Sequence, residues 1–327
     1  MKRLLIVKLS SLGDVIQSLP VLHDIKRYRP DLTVDWAVEE AYRELLQNHP
    51  NLFEAHAVGL RRWRRQGFLK PQSRFELRAL NTKLSQANYA FALDLQGLFK
   101  SAVVARMSGA AIAGLSMSCA RESLASLLYH HRFTLENCPA PVRCRILAAK
   151  AMGYENQAGF DPYSKDSDAF GLRQSLLAQD RKAQALMLIH ISARKDKLWP
   201  ESHWIGLGQK LASLGKKLRL PWGNDDERER AKRLAAAIPG AEVMQQLSLA
   251  ALSRELSASQ GAFGLDTGLS YLAIAAGIPT VRIYCGVDRG NTAGFDWINS
   301  RSVLGEAQLP TVAEVWQAWE SLSSSGA

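Results

Sequence analysis

Apolar residues along this chain follow two alternating rhythms. Short runs rich in Leu, Ile, Val and aromatic residues, "LLIVK" (4–8), "TVDWAVE" (33–39), "FALDLQ" (91–96) and "AIAGLS" (111–116), have the length and composition of strands. Between them, "RFELRALNTKLSQA" (74–87) and "PVRCRILAAKAMG" (141–153) repeat apolar positions at helical spacing. The second half continues in the same way, with a strand at 185–191 and then a helix opened by Pro200 and Glu201. Proline sits there in a first turn, where its missing N–H is no loss. Strands at 217–222, 241–244, 261–266 and 280–285 then alternate with helices at 225–238, 248–259 and 267–277.

That alternation predicts an α/β protein with parallel sheets covered on both faces, and its two rounds predict twin domains. The stretch 153–171, rich in Gly, Asp, Ser and Pro, reads as the linker. We place an N-terminal domain at 1–160, a second at 161–310, and a C-terminal helix within 311–327. The stripe Val312, Val315, Trp316 and Trp319 on that helix suits packing on either domain.

Composition agrees with two cores: 327 residues, 47% of them hydrophobic, suffice for two domains of roughly 150 residues each. Four cysteines without C-x-x-C spacing suggest neither a zinc site nor a disulfide framework, which fits a reducing cytoplasm. The start, "MKRLLIV", imitates a signal peptide, but Lys8 interrupts the run and a first strand is the better reading. No stretch approaches the roughly 18 apolar residues of a membrane span, so any membrane contact is expected at the surface.

Charge changes the picture. Lys and Arg number 41 against 31 Asp and Glu, a net charge of +10, which favours a polyanionic partner. The densest cluster is "RRWRR" (61–65) followed by Lys70. It reads as a solvated basic edge or, with Trp63 as a stacking platform, as a nucleic-acid contact. The absence of repeated basic–aromatic pairs, an RNA-binding signature or zinc-finger spacing argues against nucleic acid.

Open parallel sheets bind ligands at the carboxyl ends of strands where strand order reverses. Three turns qualify: "KLSSLGD" (8–14), "ISARKDKLWP" (191–200) and "GLDTGLS" (264–270). Neither a G-x-G-x-x-G fingerprint nor a P-loop is present, so phosphates must be held otherwise. Asp14 reads as a helix cap or as a base. Asp266 and Thr267 read as N-caps or as the start of a phosphate-binding helix terminus. Arg194 to Lys197 form a solvated loop or bring cations to the same phosphates. Glu227 is one more charge among Asp225, Asp226 and Glu229, or a ligand group. His190 and His203 suit packing or capping better than catalysis.

Taken in order, "VKLSSLGDVIQSLP", "VDWAVEE", "RRWRR", "LDLQGLFKSA", "ARESLASLLYH", "KDKLWPESHW", "LPWGNDDERERAKRL" and "DTGLSYLAIAAGIPTV" resemble the ADP-heptose:lipopolysaccharide heptosyltransferases, glycosyltransferase family 9. The resemblance implies a GT-B glycosyltransferase with two Rossmann-like domains facing an interdomain cleft. Its reaction moves L-glycero-D-manno-heptose from ADP-heptose to the first Kdo of Kdo2-lipid A, with inversion and without metal or cofactor. It further implies a peripheral place on the cytoplasmic face of a Gram-negative inner membrane.

Residue by residue, the resemblance makes Asp14 the general base. Ser10, Ser11, Gly13, Gln96, Arg61, Arg62, Arg64 and Arg121 fall on the acceptor side, where Arg forks suit Kdo carboxylates and lipid A phosphates. Ser192, Lys197, Glu227, Asp266, Thr267, Gly268 and Leu269 fall on the donor side. Lys197 meets the diphosphate and Glu227 the ribose. Three departures stand out: Tyr271 where the family has His, Ser192-Ala193 for Thr-Thr, and "YCGVDRGNTAGF" (284–295) for a "YGPTDP" type of loop. A later core heptose, as added by heptosyltransferase II, and a non-enzymatic nucleotide- or RNA-binding module are the competing readings.

Overall fold

The computed structural model describes residues 2–173, 185–285, 295–305 and 309–324. Two compact units emerge, one of Met1–Ser164 with Ala169–Gly171, the other of Lys165–Asp168 with Leu172–Ala327. In the first, β1 (Lys2–Val7), β2 (Leu32–Glu39), β3 (Glu54–Val58), β4 (Tyr89–Asp94), β5 (Ile112–Leu115) and β6 (His131–Phe133) form one parallel sheet in the order β3-β2-β1-β4-β5-β6. In the second, β7 (Ala185–Ile189), β8 (Lys217–Leu220), β9 (Ala241–Val243), β10 (Gly261–Leu265), β11 (Thr280–Ile283) and β12 (Ser300–Val303) run β12-β11-β10-β7-β8-β9. Counted from its own first strand, each sheet has the same doubly wound order, 3-2-1-4-5-6, which reverses between its first and fourth strands.

Central strands are continuous apolar runs because both faces are covered: Leu4 to Val7 and Leu186 to Ile189 are wholly buried. Three strands escape the sequence pattern, "EAHAV", "HRF" and "SRSV". All three are sheet edges, where short polar strands suffice and long apolar ones invite aggregation.

On one face of the first sheet, Leu5 and Val7 share a core with Leu80 and Leu84 of helix Pro71–Gln86. Ala102 and Ala105 of helix Phe99–Arg106 and Ala125 of the 3-10 turn Ser123–Leu128 join that core. Elsewhere in this unit Arg145, on helix Ala140–Met152, grips Asp24, on helix Pro20–Tyr28, through two hydrogen bonds of 2.7 and 2.8 Å. Both side chains are almost fully buried. Their pairing satisfies two charges that neither helix could bury alone.

The change of unit falls within the expected linker, between positions 164 and 172, while the first part of that stretch is packed. Tyr154 is fully buried and stacks on Tyr28 at 5.3 Å, with Phe160 edge-on to both rings. Arg145 donates to the Pro162 carbonyl, so the start of this stretch belongs to the first unit. Its aromatic residues outweigh the Gly, Asp and Ser that made it look loose. The C-terminal helix, Val312–Ser324, packs on the second unit, with Val315 and Leu322 in its core and Trp319 against Phe263 at 4.9 Å.

His49 donates from Nε2 to the Phe170 carbonyl at 2.9 Å and accepts from Asn51 N–H at Nδ1, an arrangement that requires the neutral ring. Gly171, at φ +67, leaves the room: a Cβ there would lie 2.4 Å from Nε2. Burial pushes the His49 imidazole down to about 4 and that of His190 to about 3. Each ring takes up a proton more readily unfolded than folded. Their contribution is therefore intact above about pH 6.5 and erodes as pH falls toward 4, at roughly 1.4 kcal/mol per pH unit for each ring. Urea unfolding of the intact protein across this range should show that slope, and His49→Gln should flatten it by about half.

Candidate functional site

The first switch point lies between the carboxyl ends of β1 and β4. Ser11 caps helix Leu12–Ser18, in which Asp14 occupies the first turn. Asp14 Oδ2 accepts from both Ser11 N–H and Ser11 Oγ at 2.9 Å. Its Oδ1 makes no hydrogen bond among the described residues, and the side chain is half-buried. The cap reading is thus realised through one oxygen only. The Ser10–Ser11 peptide bond is cis.

Gln96 joins this turn from β4. Its Oε1 accepts from Leu9 N–H at 2.7 Å and its Nε2 reaches Ser10 Oγ at 3.5 Å. Asp94, wholly buried, organises the loop that presents Gln96. It accepts from the N–H groups of Gln96 and Gly97 and from the hydroxyls of Ser101 and Tyr129. Burial raises the Asp94 carboxyl even though these donors favour its charged form. Lys8, also buried, donates to the Leu95 carbonyl at 3.0 Å and ties the two strand ends together. Sequence reading missed both residues. Their signal was a charged residue closing an apolar run.

The basic cluster forms helix Leu60–Gln66. Trp63 is buried and donates to Glu76 at 2.7 Å. Arg62 is committed to Glu40 and Glu76, at 2.9 and 2.7 Å, so its fork holds the helix in place. Arg61 lies over the Tyr42 ring while its N–H binds the buried Glu39, whose carboxyl burial pushes up. Arg64 is exposed and unpaired among the described residues. Arg121 is exposed and borders Gly97, beside Gln96.

The second switch point lies between β7 and β10. Lys197, on the turn after β7, pairs with Asp266, on the turn after β10, at 2.5 Å. Thr267 precedes helix Gly268–Ala275, whose first N–H groups, on Gly268 and Leu269, have no backbone acceptor within the helix. The Thr267 hydroxyl is buried without a partner among the described residues. Ser192 Oγ accepts from Arg194 N–H at 3.2 Å. Glu227 closes its own loop by accepting from Gly223 N–H at 2.8 Å, beneath the Asn224 cap of helix Asp225–Ala237.

Behind Asp266 stands an unforeseen network. Tyr271 donates to Asp266 Oδ1 at 3.0 Å and accepts from Arg282 at 3.1 Å. Arg282 is fully buried, donates to Asp296 and Ser302, and lies against the rings of Tyr271, Tyr284 and Trp297. Tyrosine at 271 therefore links a buried cation to the aspartate of the turn. The departing loop lies mostly outside the described residues, which exclude 286–294. His190 is buried against the core, and His203 packs on Trp199 at 5.2 Å.

One further cluster, Asp35, Glu54 and His56, brings its ligand-type atoms within 4.8 Å of one another. Burial opposes ionisation of Asp35, yet hydrogen bonds from His56 and Tyr89 and the Arg3 guanidinium at 2.5 Å hold its carboxyl below the ordinary range. Arg3 already supplies the cation there, so the cluster reads as a structural ion pair.

Two doubly wound units in one chain, each gathering polar side chains at its switch point, are the GT-B glycosyltransferase architecture. A family model described as glycosyltransferase family 9 (heptosyltransferase) matches residues 77–315. Lipopolysaccharide heptosyltransferase 1 of Pseudomonas aeruginosa is 36% identical over 295 residues, 90% of this chain and 81% of that one. Its Escherichia coli K12 namesake is 35% identical, with 90% and 91% covered. The solved structure of E. coli heptosyltransferase WaaC with ADP superposes with a TM-score of 0.87 at 33% identity, covering 98% of this chain and 99% of that one. E. coli heptosyltransferase II, at 18% identity and a TM-score of 0.69, shares the fold across the full length of both chains. The chain belongs to glycosyltransferase family 9, the heptosyltransferases.

Removing the Tyr271 hydroxyl tests the network directly. Tyr271→Phe should lower the stability of the intact protein by about 1–3 kcal/mol, since Arg282, fully buried, loses an acceptor. Urea midpoints of the two proteins measure it. An unchanged midpoint would mean that the remaining acceptors, Tyr284, Phe295, Asp296 and Ser302, satisfy Arg282.

Proposed function

We propose that this glycosyltransferase moves L-glycero-D-manno-heptose from ADP-heptose to the first Kdo of Kdo2-lipid A, with inversion at the anomeric carbon and without a metal. The observation that carries the reading is the division of labour at Asp14: one carboxylate oxygen anchored by Ser11, the other unengaged. A base so held keeps its orientation and can still take the proton of an attacking hydroxyl.

On the donor side, the Gly268 and Leu269 N–H groups, the Thr267 hydroxyl and Lys197 suit a diphosphate at a helix N-terminus. Lys197 then exchanges Asp266 for the phosphates and stabilises the departing ADP. Ser192 supplies a further hydroxyl. Glu227, with one oxygen anchored on Gly223, turns the other to the ribose. On the acceptor side, Ser10, Ser11, Gly13 and Gln96 frame the hydroxyl. Arg61, Arg64 and Arg121 meet the carboxylates and phosphates, while Arg62 acts through its grip on Glu40 and Glu76.

The names of the relatives support heptose transfer, and a WaaC structure with ADP-2-deoxy-2-fluoro heptose, at a TM-score of 0.84, supports the donor. Identity of 33% to WaaC against 18% to heptosyltransferase II favours the first heptose over a later one. A lipid-borne anionic acceptor extends the proposal to a peripheral position on the cytoplasmic face of the inner membrane.

The test is ADP release from ADP-heptose with deacylated Kdo2-lipid A, comparing the parent protein with Asp14→Asn. Asparagine keeps the oxygen that Ser11 needs, so folding and donor KM should hold while kcat falls by about 100- to 10,000-fold. Equal turnover would return Asp14 to capping alone. No turnover in the parent would overturn the substrate assignment.

A further inference from the structure

Charge and apolar exposure on the first unit are concentrated together. Segments 60–86 and 99–128 hold eleven Lys and Arg against two Glu, a surplus of nine in a chain whose net charge is +10. Within these segments, helices Pro71–Gln86 and Phe99–Arg106 and the 3-10 turn Ser123–Leu128 cover one face of the first sheet, with Leu80, Ala102 and Ala125 turned into its core. Their outward sides carry large hydrophobic residues that a solvated layer does not need: Phe75 is 70% exposed, Leu124 64% and Leu127 57%. Between helices Leu60–Gln66 and Pro71–Gln86 the chain turns at Gly67, with φ +104, and presents Phe68 and Leu69. Leu69 is 87% exposed.

Five basic residues flank this tip and Phe75: Arg64, Arg65, Lys70, Arg74 and Arg78. All are exposed, and none has an acidic partner among the described residues. The only acid between positions 60 and 86, Glu76, is already bound by Arg62 and Trp63. Exposed apolar residues flanked along the chain by cations without acidic partners match the boundary of an anionic bilayer, where chains accept the apolar tip and headgroups the charge. Long Arg and Lys stems reach headgroups while the tip lies deeper. A nucleic acid would use the cations and leave Leu69 in water.

We infer that the Phe68–Leu69 tip, with Phe75 beside it, inserts into an anionic bilayer and that the helical layer behind it lies along the membrane surface. This deepens the peripheral-membrane part of the reading above and is independent of the sugar chemistry. Each basic side chain at such a surface contributes roughly fivefold in partitioning, and burial of one leucine roughly tenfold or more.

Flotation of the full chain with vesicles of phosphatidylcholine, with or without phosphatidylglycerol, tests it, since neither lipid carries Kdo. Binding is expected to the anionic vesicles only. Leu69→Asp should weaken it at least tenfold, as should Lys70→Glu combined with Arg74→Glu, while Leu214→Asp, at an exposed leucine on the second unit, should leave it unchanged. Turnover of the deacylated acceptor by Leu69→Asp should match that of the parent, separating this inference from the assignment of substrate. Binding that responds to charge and salt but ignores Leu69→Asp would overturn insertion. Retention on single-stranded RNA without vesicle binding would overturn the membrane as partner.

Discussion

Reversal of strand order is the constraint on which both units depend. Where a parallel sheet turns from one winding direction to the other, the helices that follow its two central strands leave on opposite faces. Neither helix fills the gap at the carboxyl ends, so that gap is lined by turns whose polar groups must find partners among themselves. At β1 and β4 the solution is largely side chain to backbone, through Asp94, Gln96 and Lys8. At β7 and β10 it is electrostatic, through Lys197, Asp266, Tyr271 and Arg282. One architecture thus yields a crevice braced by side-chain-to-backbone hydrogen bonds and another braced by an ion pair.

The two readings of Asp14 need not compete. A carboxylate has two oxygens, and a serine cap uses only one of them. Glu227 repeats the device on Gly223 N–H, and Asp266 places one oxygen on Lys197 and the other on Tyr271. Capping is how a short turn holds an acid still without fully neutralising its hydrogen-bonding capacity.

Much of the fold was legible because buried parallel strands advertise themselves as apolar runs, and "LLIVK" and "ALMLIHI" gave the centres of both sheets. Three of the four edge strands were silent, since "EAHAV", "HRF" and "SRSV" have little apolar surface to hide. The supposed linker misled for the opposite reason: Tyr154 and Phe160 are too few to form a periodic signal, yet two aromatic rings suffice to pin a loop. At the site, turns following strands were visible as turns. Partner choice was not: Arg62 reads like its neighbours in "RRWRR", and only the placement of Glu40 and Glu76 sets it apart. Arg282 was hidden inside "TVRIYC", where a charge in a strand has no periodic meaning.

The Lys197–Asp266 pair has a consequence for any anion that comes to this turn. In the structure the cation is paired, so on the proposed donor reading a diphosphate would displace an internal carboxylate rather than settle onto an open positive site. Binding becomes an exchange between two counter-ions, one tethered and one free. The tethered one, braced by Tyr271 and through it by Arg282, would then set how strongly the visitor must compete.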